Sequence, residues 1–154
     1  MLNLRRRERV LAVVLAGTAG FVDAVGFLEV GGYFVSFMSG NTTRASVDVA
    51  QTNFVAAAFA LLLIASFVTG ALIGTLVPGG RMRGETRVLV IILGVVVLAA
   101  LCASLDWRWV AGALLAFSMG AMNTVFARGR EVSFGITYMT GALVKVAQGI
   151  ATAL

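Results

Sequence analysis

Val35-Ser36-Phe37-Met38-Ser39-Gly40 and Ile136-Thr137-Tyr138-Met139-Thr140-Gly141 are two copies of one motif, separated by an offset of 101 residues. Each position is identical or a close chemical match. A lone cation follows each glycine by four residues, Arg44 in the first copy and Lys145 in the second. The preceding segment repeats too. Ala16, Gly20, Asp23 and Val25 align with Ala116, Gly120, Asn123 and Val125 at an offset of 100 residues. Self-similarity on this scale in an apolar chain predicts a membrane fold of two related halves, with a solute site where they meet.

Composition bounds the class. Of the 154 residues, 60% are hydrophobic and 12% charged, with a mean hydropathy of +0.98. A soluble domain carries about 25% charged residues, so a soluble globule is excluded. The net charge of +5 sits in short basic runs at the ends of apolar segments. That pattern fits the positive-inside rule rather than a nucleic-acid face. The single cysteine, Cys102, lies in an apolar run and reads as a small hydrophobe, and there is no histidine. His-based triads and the usual zinc sites are therefore absent, and neither cofactor nor metal is expected.

Apolar stretches at about residues 10–30, 53–77, 88–105 and 110–126 each approach the roughly 20 residues that a bilayer requires. The first follows Arg5-Arg6-Arg7 and lacks an Ala-x-Ala cleavage site, so it reads as a retained span rather than a signal peptide. It carries a ladder of small residues, Ala16, Gly20 and Ala24, which predicts close approach of another helix. The second carries Gly70-x-x-x-Gly74 and ends at the only proline, Pro78. The third has no charge and is expected to be the most lipid-exposed. Between the first two, residues 33–48 are too polar for lipid. They read as a half-helix that dips into the protein, with Ser39 as its N-cap and an Arg44–Asp48 pair at i and i+4.

Orientation follows from the arginines. Arg5, Arg6, Arg7 and Arg9 put the N-terminus in the cytoplasm. The loops around Arg81 to Arg87 and Arg128 to Arg130 then fall inside, and Asp106 to Trp109 fall outside with tryptophans at interface depth. The repeated unit holds three spans. An odd number inverts the second copy, so the two half-helices would enter from opposite sides. The expected architecture is all-α: one integral membrane domain over residues 1–154, a polytopic transmembrane helical bundle with re-entrant half-helices. Repeat one covers about residues 10–105 and partial repeat two about 110–154.

The motif suits an anion or a polar solute. A helix starting near Ser39 offers unpaired N–H groups, Gly40 lets a ligand approach the backbone, and Arg44 adds a cation one turn on. Thr140, Gly141 and Lys145 repeat that logic. The plainer alternative is that Ser39 and Thr140 only cap helices while Arg44 and Lys145 snorkel to the interface. Asp23 lies about 20 Å into the first span by helix rise. It is read as a proton-coupling site or a counter-ion to Arg44, against a packing salt bridge or a neutral carboxyl. Its partner Asn123 keeps the hydrogen bonding and drops the charge. Asn123 and Thr124 also read as structural glue, Asn53 and Gln51 as caps or interface residues, and Phe37, Tyr138, Met38 and Met139 as core. No phosphate loop, metal box or nucleophile–base set is present, so an enzyme is not expected.

The run Gly20-Phe21-Val22-Asp23-Ala24-Val25-Gly26-Phe27 followed by Phe34-Val35-Ser36-Phe37-Met38-Ser39-Gly40-Asn41-Thr42 resembles the YoaK-like family of bacterial inner-membrane proteins, domain of unknown function 1275. Tyr138-Met139-Thr140-Gly141 fits that family's second motif. The resemblance implies a polytopic plasma-membrane protein and names no substrate. Family members continue beyond the second motif, whereas this chain stops at Leu154, where the counterpart of the second span should begin.

The resulting expectation is a permease-like protein that moves a small, anionic solute by alternating access. Asp23, Ser39, Gly40, Asn41, Thr42, Arg44, Asn123, Thr140, Gly141 and Lys145 would line its site. The alternative is a non-transporting scaffold or sensor in which these groups lock helices together. The expected partners are the lipid bilayer and a small solute, with no nucleic acid; a homo-oligomer is compatible with the sequence.

Overall fold

A computed structural model describes residues 6–76, 83–124, 127–128 and 131–132. Five helices dominate: α1 (Arg6–Glu29), α2 (Met38–Ala50), α3 (Phe54–Leu76), α4 (Arg83–Ser104) and α5 (Arg108–Met122). A two-residue antiparallel ladder, β1 (Ala127–Arg128) on β2 (Glu131–Val132), follows. The second motif, with Thr140, Gly141 and Lys145, lies outside the described residues.

The chain reverses sharply after α1. Gly31 and Gly32 take φ of 74° and 87°, a region that favours glycine, and the Gly32 N–H closes onto the Phe27 carbonyl at 2.8 Å. The same six-to-one closure ends α2, where Asn53 N–H reaches Asp48 O with Thr52 at φ 59°. It also ends α4, where Trp107 N–H reaches Cys102 O with Asp106 at φ 61°. These closures satisfy carbonyls that a helix end would otherwise leave unpaired.

After its reversal the chain runs back alongside α1 instead of leaving it. Val35 is fully buried against Gly26, where an added Cβ would lie 2.9 Å from Val35 Cγ1. Val35 and Ser36 also bond to Asp23. Asp23 is six residues short of the end of α1, so the return reaches about 9 Å down the helix at 1.5 Å per residue. α2 then turns about and packs on α3 through a buried face of Asn41, Ala45 and Asp48. Asn53 caps α3, accepting the Ala56 N–H at 3.3 Å.

α5 is the central helix and contacts α1, α3 and α4. Its packing on α3 is reciprocal. A Cβ at Gly70 would strike the Phe117 carbonyl, and one at Gly120 would strike the Phe67 carbonyl. Gly74 lies against Ala121, with 3.2 Å from its would-be Cβ to the Ala121 Cα. The expected small-residue packing motif is therefore used, and Gly120 is its partner across the interface. On the other side of α5, Val88 and Ile92 of α4 join Met119, Ala121 and Met122 in one buried cluster.

Two helices are long and apolar enough to cross a membrane, Phe54–Leu76 and Thr86–Ser104. Only 28% and 22% of their apolar windows are buried. Faces that stay uncovered on such helices suit lipid better than water.

Several expectations change. α5 ends at Met122, four residues before the predicted limit, because Asn123 and Thr124 turn back to bond their own helix: Asn123 Nδ2 to Met119 O at 2.9 Å and Thr124 Oγ1 to Ala121 O at 2.8 Å. Among the described residues only Ala16 of the ladder on α1 is packed, against the buried cluster that includes Met119, Ala121 and Met122. Gly20 and Ala24 are exposed, and a Cβ at Gly20 would meet nothing within 4 Å.

Candidate functional site

The candidate site is the stretch of chain between the end of α1 and the start of α2, and three polar side chains fasten it. Asp23 supplies the first anchor. Its Oδ1 accepts the N–H groups of Val35 at 2.7 Å and Ser36 at 2.8 Å. A carboxylate that receives two amide donors is satisfied without a cation. Asp23 is thus not the counter-ion of Arg44. Among the described residues the one ion pair is Arg108–Asp106, which is exposed.

Asn41 supplies the second anchor. Phe34 N–H donates to Asn41 Oδ1 at 2.9 Å, and Asn41 Nδ2 donates to Phe34 O at 2.6 Å. The amide imitates a strand partner for one residue of non-helical backbone. Asn41 is fully buried, so these bonds form away from competing water. Its Nδ2 also faces Met38 Sδ at 3.8 Å.

Tyr33 links the third pair. Its hydroxyl donates to Asp48 Oδ2 at 2.8 Å, and the Arg44 guanidinium carbon lies 4.7 Å from its ring centroid. Tyr33 meets Phe59 edge-on at 5.2 Å, and Phe59 in turn meets Trp109 at 4.7 Å. The expected Arg44–Asp48 ion pair is replaced by this arrangement: the tyrosine stands between them and engages the cation with its face and the carboxylate with its hydroxyl. Arg44 remains half-buried beside Gly32, where an added Cβ would lie 3.4 Å from the guanidinium.

Around these anchors the other motif residues take simpler positions. Ser39 is the second residue of α2 and is exposed. The cap position belongs to Phe37, with no side-chain bond, so Ser39 does not cap. The helix begins two residues earlier than a Ser39 cap would require. The room beside Gly40 is filled by the rings of Phe34 and Phe37, which stack edge to face at 5.2 Å, and is not left open for a ligand. Thr42, Thr43 and Ser46 line the outer face of α2, each hydroxyl returned to a carbonyl one turn earlier: Met38, Ser39 and Thr42.

Asp23, Asn41 and Arg44 are therefore brought to one segment. Thr42 and Ser39 lie on its exposed side, and Asn123 lies at the end of α5. Tyr33 and Asp48 are the residues that the sequence reading underused. The available signal was the spacing Asn41, Ala45, Asp48, which puts the acid on the buried face of a short helix where it needs a donor.

Comparisons with known proteins agree with the motif. The family model described as protein of unknown function (DUF1275) matches residues 11–154. Over 149 residues the chain is 38% identical to a UPF0700 transmembrane protein of Rhizobium meliloti (strain 1021), covering 95% of this chain and 64% of that relative. No solved structure matches. With a family model spanning nearly its whole length, the chain belongs to the DUF1275 family.

Proposed function

We propose that this protein is a permease-like integral membrane protein that moves a small anionic solute, without being an enzyme. The observation that carries the reading is Arg44. It is a half-buried guanidinium held on an aromatic face, on a short helix packed against one long enough to span a bilayer, and among the described residues no carboxylate lies within 4 Å of it. A planar guanidinium has the donor geometry for a small anion. The relative's name, a transmembrane protein, supports placing the chain in a membrane. In this reading the N-terminus is cytoplasmic, the protein is multi-pass in the bacterial inner membrane, and α2 is a re-entrant half-helix entering from outside. The Thr140-Gly141 segment enters from inside as its inverted counterpart, with Lys145 in the place of Arg44.

A second reading, a non-transporting scaffold or sensor, is favoured by Asp23 and Asn41, because both spend their hydrogen bonds on the chain's own backbone. The two readings differ at Arg44. A thermal-shift screen of the full chain against small anions, followed by flux into proteoliposomes, should give anion-dependent stabilisation and uptake that Arg44→Gln abolishes while the protein still elutes folded. A scaffold would give neither stabilisation nor uptake with any anion.

A further inference from the structure

The geometry points to Asp48 as the proton acceptor that accompanies an anion onto Arg44, making solute and proton bind together. The inference rests on the permease reading and adds to it the coupling ion. Asp48 is 7% exposed, and its carboxylate receives the Tyr33 hydroxyl. The other face of that tyrosine carries Arg44. Among the described residues the charged and titratable groups around Asp48 are few. The returning stretch contributes Tyr33, α2 itself contributes Arg44 one turn earlier, and α3, packed against α2, has no ionisable side chain. Glu29 and the Arg108–Asp106 pair are exposed.

With the site empty, one cation and one carboxylate balance each other through Tyr33. An anion arriving at Arg44 comes within about a helical turn of the Asp48 carboxylate, because residues four apart on a helix are neighbours. Two like charges in a partly buried site favour the neutral form of the one that can protonate. A proton from solvent then binds an Asp48 carboxylate oxygen and gives a neutral carboxyl. The net charge of the site is the same before and after, since one anion and one proton enter together. The protonated acid still has an oxygen to accept from Tyr33, so the returning stretch stays in place. In the repeat the position matching Asp48 is Gly149, so the acid occurs in one copy only and the ratio is one proton per anion. Coupling of this kind is reciprocal: whatever the anion does for the proton, the proton does for the anion.

The test uses the full chain in lipid nanodiscs with chloride, nitrate and acetate as separate probes. Binding is measured near pH 5 and near pH 8, and proton uptake is followed with an indicator dye in weakly buffered solution. The wild type should bind at least one of these anions at least tenfold more tightly at the lower pH and take up close to one proton per anion. Asp48→Asn should bind the same anion equally at both pH values, with no proton uptake. Ser46→Ala, on the exposed outer face of the same helix and in contact with neither Arg44 nor Asp48, should retain the uptake and serves as the folded control. Anion binding without proton uptake in the wild type, or uptake that persists in Asp48→Asn, overturns the coupling and leaves the permease reading standing. Failure of the wild type to bind any of the three anions at either pH overturns the anion site itself, and the coupling with it.

Discussion

The Asp23 carboxylate lies 2.7 Å from the backbone nitrogen of Val35, and this contact turns an acid within an apolar helix into the fastener of a returning chain. The same oxygen takes the next amide, Ser36, at 2.8 Å. Charge-assisted bonds of this kind contribute about 1.5–3 kcal/mol each, and leaving the amides unpaired adds a desolvation cost. Asp23→Ala should therefore destabilise the protein by about 3 kcal/mol, whereas Asp23→Asn, which keeps an acceptor oxygen in place, should cost about half that. Hydrogen exchange at Val35 and Ser36 checks it. Protection should be lost in the alanine variant and largely retained in the asparagine variant, while α3 amides stay protected in both. Equal loss in both variants would mean that charge rather than acceptor geometry holds the segment.

Asn41 makes a sharper demand on side-chain identity. It gives one bond to Phe34 and takes another from it. Aspartate is nearly isosteric but has only acceptors, so it would keep the Phe34 N–H and set an oxygen against the Phe34 carbonyl. Asn41→Asp should destabilise by at least as much as Asn41→Ala, about 2–4 kcal/mol given one or two buried polar groups left unpaired. Thermal unfolding of the purified variants in one detergent measures the order. An aspartate variant as stable as the wild type would show that the Phe34 carbonyl is not held by this amide.

Much of the molecule was legible in the chain, and the parts that were not share a physical cause. The helices at Phe54–Leu76 and Arg83–Ser104 follow from continuous apolar runs, a signal that needs no knowledge of partners. Gly70-x-x-x-Gly74 announced a close helix contact, although only the fold could name Gly120 and Phe117 as the other side. The departure from a spanning helix before α2 was equally visible in the polar residues 33–48. The pairing inside that stretch was not. Backbone groups carry no sequence signature, so nothing in the letters says that Asp23 and Asn41 bond to Val35, Ser36 and Phe34. The i and i+4 rule put Arg44 with Asp48, and a tyrosine eleven residues upstream of Arg44 overrode it by offering each of them a better-placed partner.

Glycine at the α3–α5 crossing separates packing from propensity. A methyl group at Gly70 or Gly120 would meet a backbone carbonyl, which cannot rotate away as a side chain can. Gly70→Ala and Gly120→Ala should each destabilise by about 3 kcal/mol or more, at the upper end of overpacking costs. Gly20→Ala on α1 meets open space and removes the intrinsic helix penalty of glycine, so it should be neutral or stabilising by up to about 1 kcal/mol. Unfolding midpoints of the three variants, compared at equal lipid-to-detergent ratio, decide the matter. A Gly20→Ala variant as damaged as Gly70→Ala would mean that α1 has a close partner on that face.

The three helix reversals predict substitutions of opposite sign. Gly31 sits at φ 74°, where any other residue pays a steric penalty, and its turn directs the whole returning segment. Gly31→Ala should cost about 1–2 kcal/mol. Thr52 adopts nearly the same backbone, φ 59°, with a β-branched side chain that disfavours it. Its hydroxyl bonds only to the Gln51 carbonyl next to it, and it is exposed. Thr52→Gly should therefore stabilise the protein by about 1 kcal/mol, even after the entropy that glycine adds to the unfolded chain is counted. Asp106, at φ 61°, belongs to a residue type that tolerates this region and forms the Arg108 pair, so Asp106→Gly should change stability by less than Thr52→Gly does. Unfolding midpoints in one detergent give the ranking directly: Thr52→Gly above wild type, Asp106→Gly near it and Gly31→Ala below. A destabilised Thr52→Gly would show that the Thr52 hydroxyl or methyl makes a contribution at this turn larger than the strain of its backbone.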